Sequence, residues 1–485
     1  MPFVLALDEG TTSARAALYN EEGRRVAMES TPIECHYPQP GWVEQDANAI
    51  WKAQLEATRH TLSVAGVRSS EIRAIGITNQ RETTVVWDKR TGEPVAPAIV
   101  WQCRRTAAYC DALHSRDIIE QKTGLVIDAY FSASKIRWLI DYTGSHPENL
   151  LFGNVDTWLI WKLTNGAVHV TDPTNASRTM LMNLATGAWD ADLLEIFGLP
   201  ESMMPKIVPS SGVCGVTAAS HFGAEIPIAG IAGDQQAALF GQACFSPGLS
   251  KNTYGTGCFA LMHSGGHLPV SKHRLLATRA ASPDASPQFA VEGSVFIAGA
   301  AVQWLRDKLK IISNSAETDA LASSVPDTGG AYVVPAFVGL GAPHWDSSAR
   351  GIVSGITAGT DRARLVRATL ESIAYQTRDL VEAMEADSGQ KLKELRVDGG
   401  ATANNFLMQF QADILGCPIV RPADIETTAL GAAYLAGLAT GFYKSTADLE
   451  KFWKSERVFE PAMSSARRKE LVAGWNDAVA RCRHR

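Results

Sequence analysis

No stretch of this sequence reads as a membrane span. Residues 427–443 are uncharged, but three glycines interrupt them, and they read as a buried helix. No cationic region precedes an apolar one at the N-terminus. Residues 3–7 run directly into Asp8 and read as a buried strand, so no secretory signal is expected. None of the eight cysteines (Cys35, Cys103, Cys110, Cys214, Cys244, Cys258, Cys417 and Cys482) forms a CxxC pair or a cluster with zinc spacing. Free thiols in a reducing cytoplasm are expected. Basic charge is not in excess: 45 Lys and Arg face 51 Asp and Glu, a net charge of −6. That balance argues against a nucleic-acid partner. Two small basic groups, at 467–469 and at Arg481, Arg483 and Arg485, read as a solvated face. A Walker A loop is absent, as is the catalytic-loop set of protein kinases.

What remains is an ordinary globular composition, 46% apolar and 20% charged over 485 residues. That length predicts two or three domains. The chain opens as a β-meander. A strand at 3–7 meets the turn Asp8-Glu9-Gly10-Thr11-Thr12, a second strand follows at 14–19, and a polar hairpin at 21–23 leads to a third. A helix is predicted over 47–65 with Asp46 as N-cap, then a strand at 73–78 that delivers a polar loop at 79–83. The second half repeats this logic. Residues 250–254 lead through Gly255-Thr256-Gly257 into an apolar strand from Cys258. A long helix covers 362–387, and a strand at 395–397 ends in Asp398-Gly399-Gly400 before a helix at 404–415. Two α/β halves follow from this, residues 1–243 and 244–485, each opening with a Gly-Thr hairpin.

Such hairpins suit phosphate. Glycine lets backbone N–H groups converge on an anion, and Thr and Ser hydroxyls add donors. Asp8 at a strand end beside Thr11, Thr12 and Ser13 suits a hydrated Mg²⁺, with Arg15 adding positive charge. One hairpin alone is more often only a turn; two, each opening a half, favour phosphate cradles. Asp234 closes an apolar run and precedes Gln235 and Gln236, a placement that suits a general base or a helix N-cap. Arg81 and Glu82 set donors beside an acceptor, as a polyol requires, or form a surface ion pair. Trp101, Tyr130 and Phe259 are candidates for an apolar wall, although core packing is the commoner fate of an aromatic. Residues 255–260 also fit the dinucleotide pattern GxGxxA. That pattern needs a following helix, whereas a strand is predicted there.

Long blocks of the chain, at 37–44, 76–83, 101–105, 156–163, 174–179, 233–236 and 252–259, resemble the FGGY family of carbohydrate kinases. Within that family they are most similar to the members that phosphorylate glycerol. Two further signatures are similar: the first matches at 130–139 and departs just beyond, at Tyr142, and the second matches at 351–371 apart from Arg364. The resemblance implies a duplicated actin-like, ribonuclease-H-like α/β fold with two domains around a central cleft. It implies ATP- and Mg²⁺-dependent phosphorylation of glycerol in the cytoplasm by a homo-oligomer, a dimer or tetramer. By matching position, Arg81, Glu82, Tyr130, Asp234 and Gln235 would hold glycerol, with Trp101 and Phe259 on its carbons and Asp234 as base. Thr11, Thr12, Ser13, Arg15 and Thr256 would meet the phosphates. Gly299, Gln303, Gly400 and Asn404 would line the nucleotide pocket. Asp8 would hold Mg²⁺ largely through water, with Asp234 as a second candidate ligand. The family's regulatory glycine-rich loop is not matched at 218–225, and His221 reads as a solvated surface residue. Residues after 445 resemble the family least. A sister sugar kinase acting on xylulose, an actin- or chaperone-like ATPase, and a dehydrogenase are the competing readings.

Overall fold

A computed structural model of the chain describes residues 2–346 and 348–483. Two large sheets organise it. The strands of the first are β1 (Phe3–Glu9), β2 (Ser13–Tyr19), β3 (Arg25–Pro32), β4 (Ile72–Asn79), β5 (Ser211–Val216) and β6 (Pro227–Gly233). Those of the second are β7 (Ser250–Tyr254), β8 (Cys258–Gly265), β9 (Leu276–Arg279), β10 (Phe289–Val295), β11 (Leu395–Asp398), β12 (Ile419–Pro422) and β13 (Ser455–Phe459).

The spatial orders are β5-β6-β4-β1-β2-β3 and β9-β10-β8-β7-β11-β12-β13. Each sheet has the same kernel. An antiparallel meander of three strands is extended by two parallel strands, so that β1, β2, β3, β4 and β6 correspond to β7, β8, β10, β11 and β12. This is the expected duplication. Additional antiparallel strands lie at the edges: β5 on β6, β13 on β12 and β9 on β10. The residues after 445 therefore close the second sheet. The helix Ser465–Arg483 that follows buries Trp475 in a stack on Tyr375, its ring centroid 5.2 Å away, with Nε1 donating to Asp379 at 2.7 Å.

Local sequence explains the main elements. Asp46 caps helix Ala47–Ala65 by accepting from the Asn48 amide at 2.8 Å, and Gly66 ends it at φ 63°. Helix Arg362–Ser388 starts after Asp361, which accepts from the Arg364 amide, and stops at Gly389, φ 67°. Three expectations are corrected in detail. The buried helix in 427–443 spans Thr427–Ala439. The helix after the Gly-Gly turn begins at Asn405, behind a 3₁₀ turn at Gly400–Ala403, because Asn404 is its cap. Asp234 is the first residue of helix Asp234–Gly241 and not its N-cap, which is Gly233. All eight cysteines are free thiols, six of them buried. Half-buried Arg467 and exposed Arg481 pair with Glu470 and Asp477 on their own helix; Arg485 lies outside the described residues.

The halves meet through small residues. Helix Thr427–Ala439 belongs to the second half in sequence but packs on the first sheet and across helix Asp234–Gly241. A Cβ on Gly431 would lie 1.8 Å from the Ala237 carbonyl oxygen, and one on Gly76 would lie 2.1 Å from that of Ala432. Only glycine permits either approach.

Candidate active site

The first hairpin is built as the sequence predicts. β1 and β2 pair Asp8 with Arg15, and the Gly10 amide donates to the Ser13 carbonyl at 3.0 Å. Thr12 is exposed at the tip. Thr11 Oγ1 accepts from Trp101 Nε1 at 2.9 Å, and Trp101 meets Tyr130 edge to face at 5.7 Å. The hairpin and two of the three candidate wall aromatics are thus one assembly. Phe259, half-buried on β8, makes no ring contact with either among the described residues.

Asp8 is only 6% exposed, and the cation nearest to it in contact, Arg15, stands 3.7 Å away, drawn instead to Glu426 at 3.0 Å. Burial pushes the Asp8 carboxyl up to about 6 against the pull of Arg15, and the negative fields of Glu426 and Asp234 add to the rise. Such a carboxylate is short of positive charge. Among the described residues no group of three or more metal-binding side chains occurs. Mg²⁺ needs none: it keeps several waters and takes one or two carboxylates plus substrate phosphates. Asp8, with Asp234 in its field, fits that requirement.

Arg81 and Glu82 are not a surface pair. They are 3% and 1% exposed and belong to a buried quartet of charges. Arg81 places Nη1 and Nη2 on the two oxygens of Glu292, at 2.6 and 2.9 Å. Its Nε stands 3.1 Å from Asp234 Oδ1. Arg178 donates through Nε to Glu82 at 2.6 Å and through Nη2 to Glu292 at 3.2 Å. Glu82 holds φ 60°, a left-handed conformation that lets the chain turn immediately after Arg81, and Lys135 and Ser132 donate to its carbonyl. Burial raises the Glu292 carboxyl, but Arg178 and Arg81 outweigh it and hold the group down to about 2. Burial raises Asp234, and Arg81 and Lys251 only partly offset it. Asp234 is therefore a stronger base than an ordinary carboxylate. Gln235, next along, accepts from buried Lys251.

The second hairpin mirrors the first. The Gly255 amide donates to the Gly257 carbonyl at 2.9 Å, and Thr256 is exposed. Helix Gly299–Asp307 sits directly on it. The Gly299 amide donates to Gly255 at 3.0 Å, and a Cβ on Gly299 would lie 2.5 Å from the same oxygen. Gly399, φ 90°, approaches Tyr254 just as closely, which sets exposed Gly400 near the hairpin. Asn404 accepts from Leu407 and donates Nδ2 to Thr318 at 3.0 Å. Gln303 is exposed on helix Gly299–Asp307, and no hydrogen bond joins it to the other candidates among the described residues. After Gly257 the chain is strand β8, not helix, so the dinucleotide pattern is not realised. A surface hollow of about 620 Å³ lined by Pro2, Ile72, Val213 and Ala439 contains none of these residues.

Sequence reasoning missed Glu292, Arg178 and Lys251. The signal for Glu292 was a lone carboxylate inside the apolar strand β10. Lys251 likewise lies inside a strand and is buried. His221 was misread. It is half-buried, bonded through Nε2 to the Lys162 carbonyl and Asn165 at 3.1 Å, and packed edge to face on Trp51.

Profiles for the N- and C-terminal domains of the FGGY family of carbohydrate kinases match residues 3–241 and 250–440. The chain belongs to that family. Curated relatives named glycerol kinase align over nearly its whole length. The one from Caldanaerobacter subterraneus subsp. tengcongensis is 58% identical, covering 99% of this chain and 98% of its own. The one from Symbiobacterium thermophilum is 59% identical with the same coverage. Among solved structures, Plasmodium falciparum glycerol kinase with ADP superimposes with a TM-score of 0.94 at 36% identity, over 99% of this chain and 98% of that one. A xylulose kinase from Lactobacillus acidophilus reaches 0.88 at 21% identity, over 99% of this chain and 96% of that one, which speaks to the fold alone.

Proposed function

We propose that this FGGY kinase transfers the γ-phosphoryl group of ATP to glycerol, forming sn-glycerol 3-phosphate. The observation that carries this reading is full-length identity of 58–59% to glycerol kinases, together with the contact of buried Arg81 with half-buried Asp234 beside two phosphate-type hairpins. Glycerol offers little surface, so its recognition rests on paired polar groups. Arg81 Nε and Gln235 supply donors, Asp234 and Glu82 supply acceptors, and Tyr130 closes the polar side. Trp101 and Phe259 pack on the carbons. Thr11, Thr12, Ser13, Arg15 and Thr256 meet the phosphates, and Gly299, Gln303, Gly400 and Asn404 form the nucleotide pocket.

Asp234 takes the proton of the attacking hydroxyl. The freed oxygen bonds to the γ-phosphorus as the bond to the bridging oxygen of ADP breaks. Phosphoryl transfer needs positioning and neutralisation of charge more than covalent help. Asp8, with Asp234, would hold Mg²⁺, which supplies positive charge to the phosphate oxygens when bound. A cleft that excludes water prevents wasteful hydrolysis. The domain limits 1–243 and 244–485 remain part of the proposal, supported by profile matches that break between 241 and 250. A homo-oligomer in the cytoplasm is the setting proposed, and eight free thiols support a reducing compartment. The test is product identification. Incubation with Mg·ATP and glycerol should give a phosphate ester that a stereospecific sn-glycerol 3-phosphate dehydrogenase oxidises. ADP formation without that ester would refute the reading.

A further inference from the structure

We propose that Lys251 is a positioning residue that fixes the orientation of the Gln235 amide toward the acceptor hydroxyl; this rests on the reading of the site as a glycerol kinase. Lys251 is the second residue of β7 and is fully buried. Its Nζ donates to Gln235 Oε1, and to Thr253 Oγ1 at 2.8 Å. Both partners are neutral. The charges around it are Asp398 on β11, Asp234 on helix Asp234–Gly241, Arg81 and, on β10, Glu292. Among the described residues none of these carboxylates forms an ion pair with it. Asp398 is instead taken by Gln242 at 2.9 Å and Thr427 at 2.8 Å, and Glu292 by the two arginines. An ammonium withdrawn from water without an ion-paired anion is costly, and a structural role would be served more cheaply by an apolar side chain.

What an ammonium does that no neutral side chain can is donate only. A glutamine amide has an accepting end and a donating end of nearly equal size. Facing Lys251, only Oε1 is tolerated, so Nε2 must occupy the other side. Gln235 then presents donors to the polyol pocket while its neighbour Asp234 presents an acceptor. That pair complements a hydroxyl about to react: its proton goes to Asp234 and its oxygen receives an N–H. Without Lys251 the amide is free to turn over. Two acceptors would then face one hydroxyl, and the pocket would lose the donor that holds its oxygen.

The test is a double-mutant cycle on the full chain, with glycerol and ATP varied separately. Lys251→Met should raise the KM for glycerol about ten-fold or more, the scale of one charge-assisted hydrogen bond, and change the KM for ATP less than about two-fold. Gln235→Ala should do the same. The double variant should be no worse than the worse single variant, since both remove one device. Should Lys251→Met fail to fold, Lys251→Gln takes its place, because an amide accepts as well as donates and no longer fixes its partner. Additive effects in the cycle, or equal rises in both KM values, would overturn the proposal. Wild-type protein without glycerol-dependent turnover would overturn the underlying reading instead, before any variant is compared.

Discussion

Replacing Glu292 with glutamine tests the buried charge quartet at the centre of the site. Glu292 is fully buried and accepts three N–H bonds, from Arg81 at 2.6 and 2.9 Å and from Arg178 at 3.2 Å. With Glu82 the quartet is two cations and two anions. Glutamine keeps the shape but leaves a net positive charge away from water, and breaking a buried pair costs about 3–5 kcal/mol. The pKa gives the same scale. The Glu292 carboxyl lies at about 2, against an ordinary 4.5. A depressed carboxyl stabilises the fold above its unfolded value and loses that contribution as pH falls toward 2. At about 1.4 kcal/mol per unit this is about 3 kcal/mol. For a cooperative unit of about 150–250 residues, a loss of this size lowers the melting midpoint by on the order of 10 °C. Thermal unfolding at pH 7, followed by tryptophan fluorescence, reads it directly. Adding Arg178→Met removes the surplus cation and should recover part of the loss. A Glu292→Gln midpoint within about 2 °C of wild type would refute the reasoning.

Asp234→Asn should lower turnover by at least about a hundred-fold while nucleotide affinity, measured by calorimetry, stays near wild type, because general-base catalysis is lost and the hairpins are untouched. Burial first, and Asp172 nearby, push Asp156 up to about 7 despite its bond to Thr171. Its contribution to stability is full below about 4 and lost as pH rises through 7, so Asp156→Asn should raise the midpoint at pH 8 and leave it near wild type at pH 4. Gly431→Ala should destabilise by about 3 kcal/mol, since the new Cβ would meet the Ala237 carbonyl at 1.8 Å and force the helix crossing apart. An unchanged midpoint would show that this contact is not tight.

What was legible in the sequence was local. The turn residues at 8–13 and 255–257, the Asp46 cap and the glycine stops at 66 and 389 state their geometry within a few positions. The repeated strand–hairpin–strand order was enough to expect the duplication. The rest depends on distance in the chain. Arg81 and Glu292 are 211 positions apart, and nothing near either residue names the other. Helix Thr427–Ala439 reads as buried from composition, but not that the first sheet buries it. His221 looks like a surface residue until Trp51 and Asn165 are brought against it. The sequence around Asp234 suits a base or a cap; the structure removes the cap by making Gly233 the boundary residue.

The most direct test of the central claim is steady-state ADP release with Mg·ATP, comparing glycerol with xylulose, other sugars and no acceptor. The account predicts release that depends on glycerol, with kcat/KM for glycerol at least about a hundred-fold above that for any sugar, since a pocket built of paired polar groups rejects a poorly matched acceptor. A sugar preferred to glycerol would contradict the polyol assignment of Arg81, Glu82 and Asp234, and release independent of any acceptor would contradict the kinase itself.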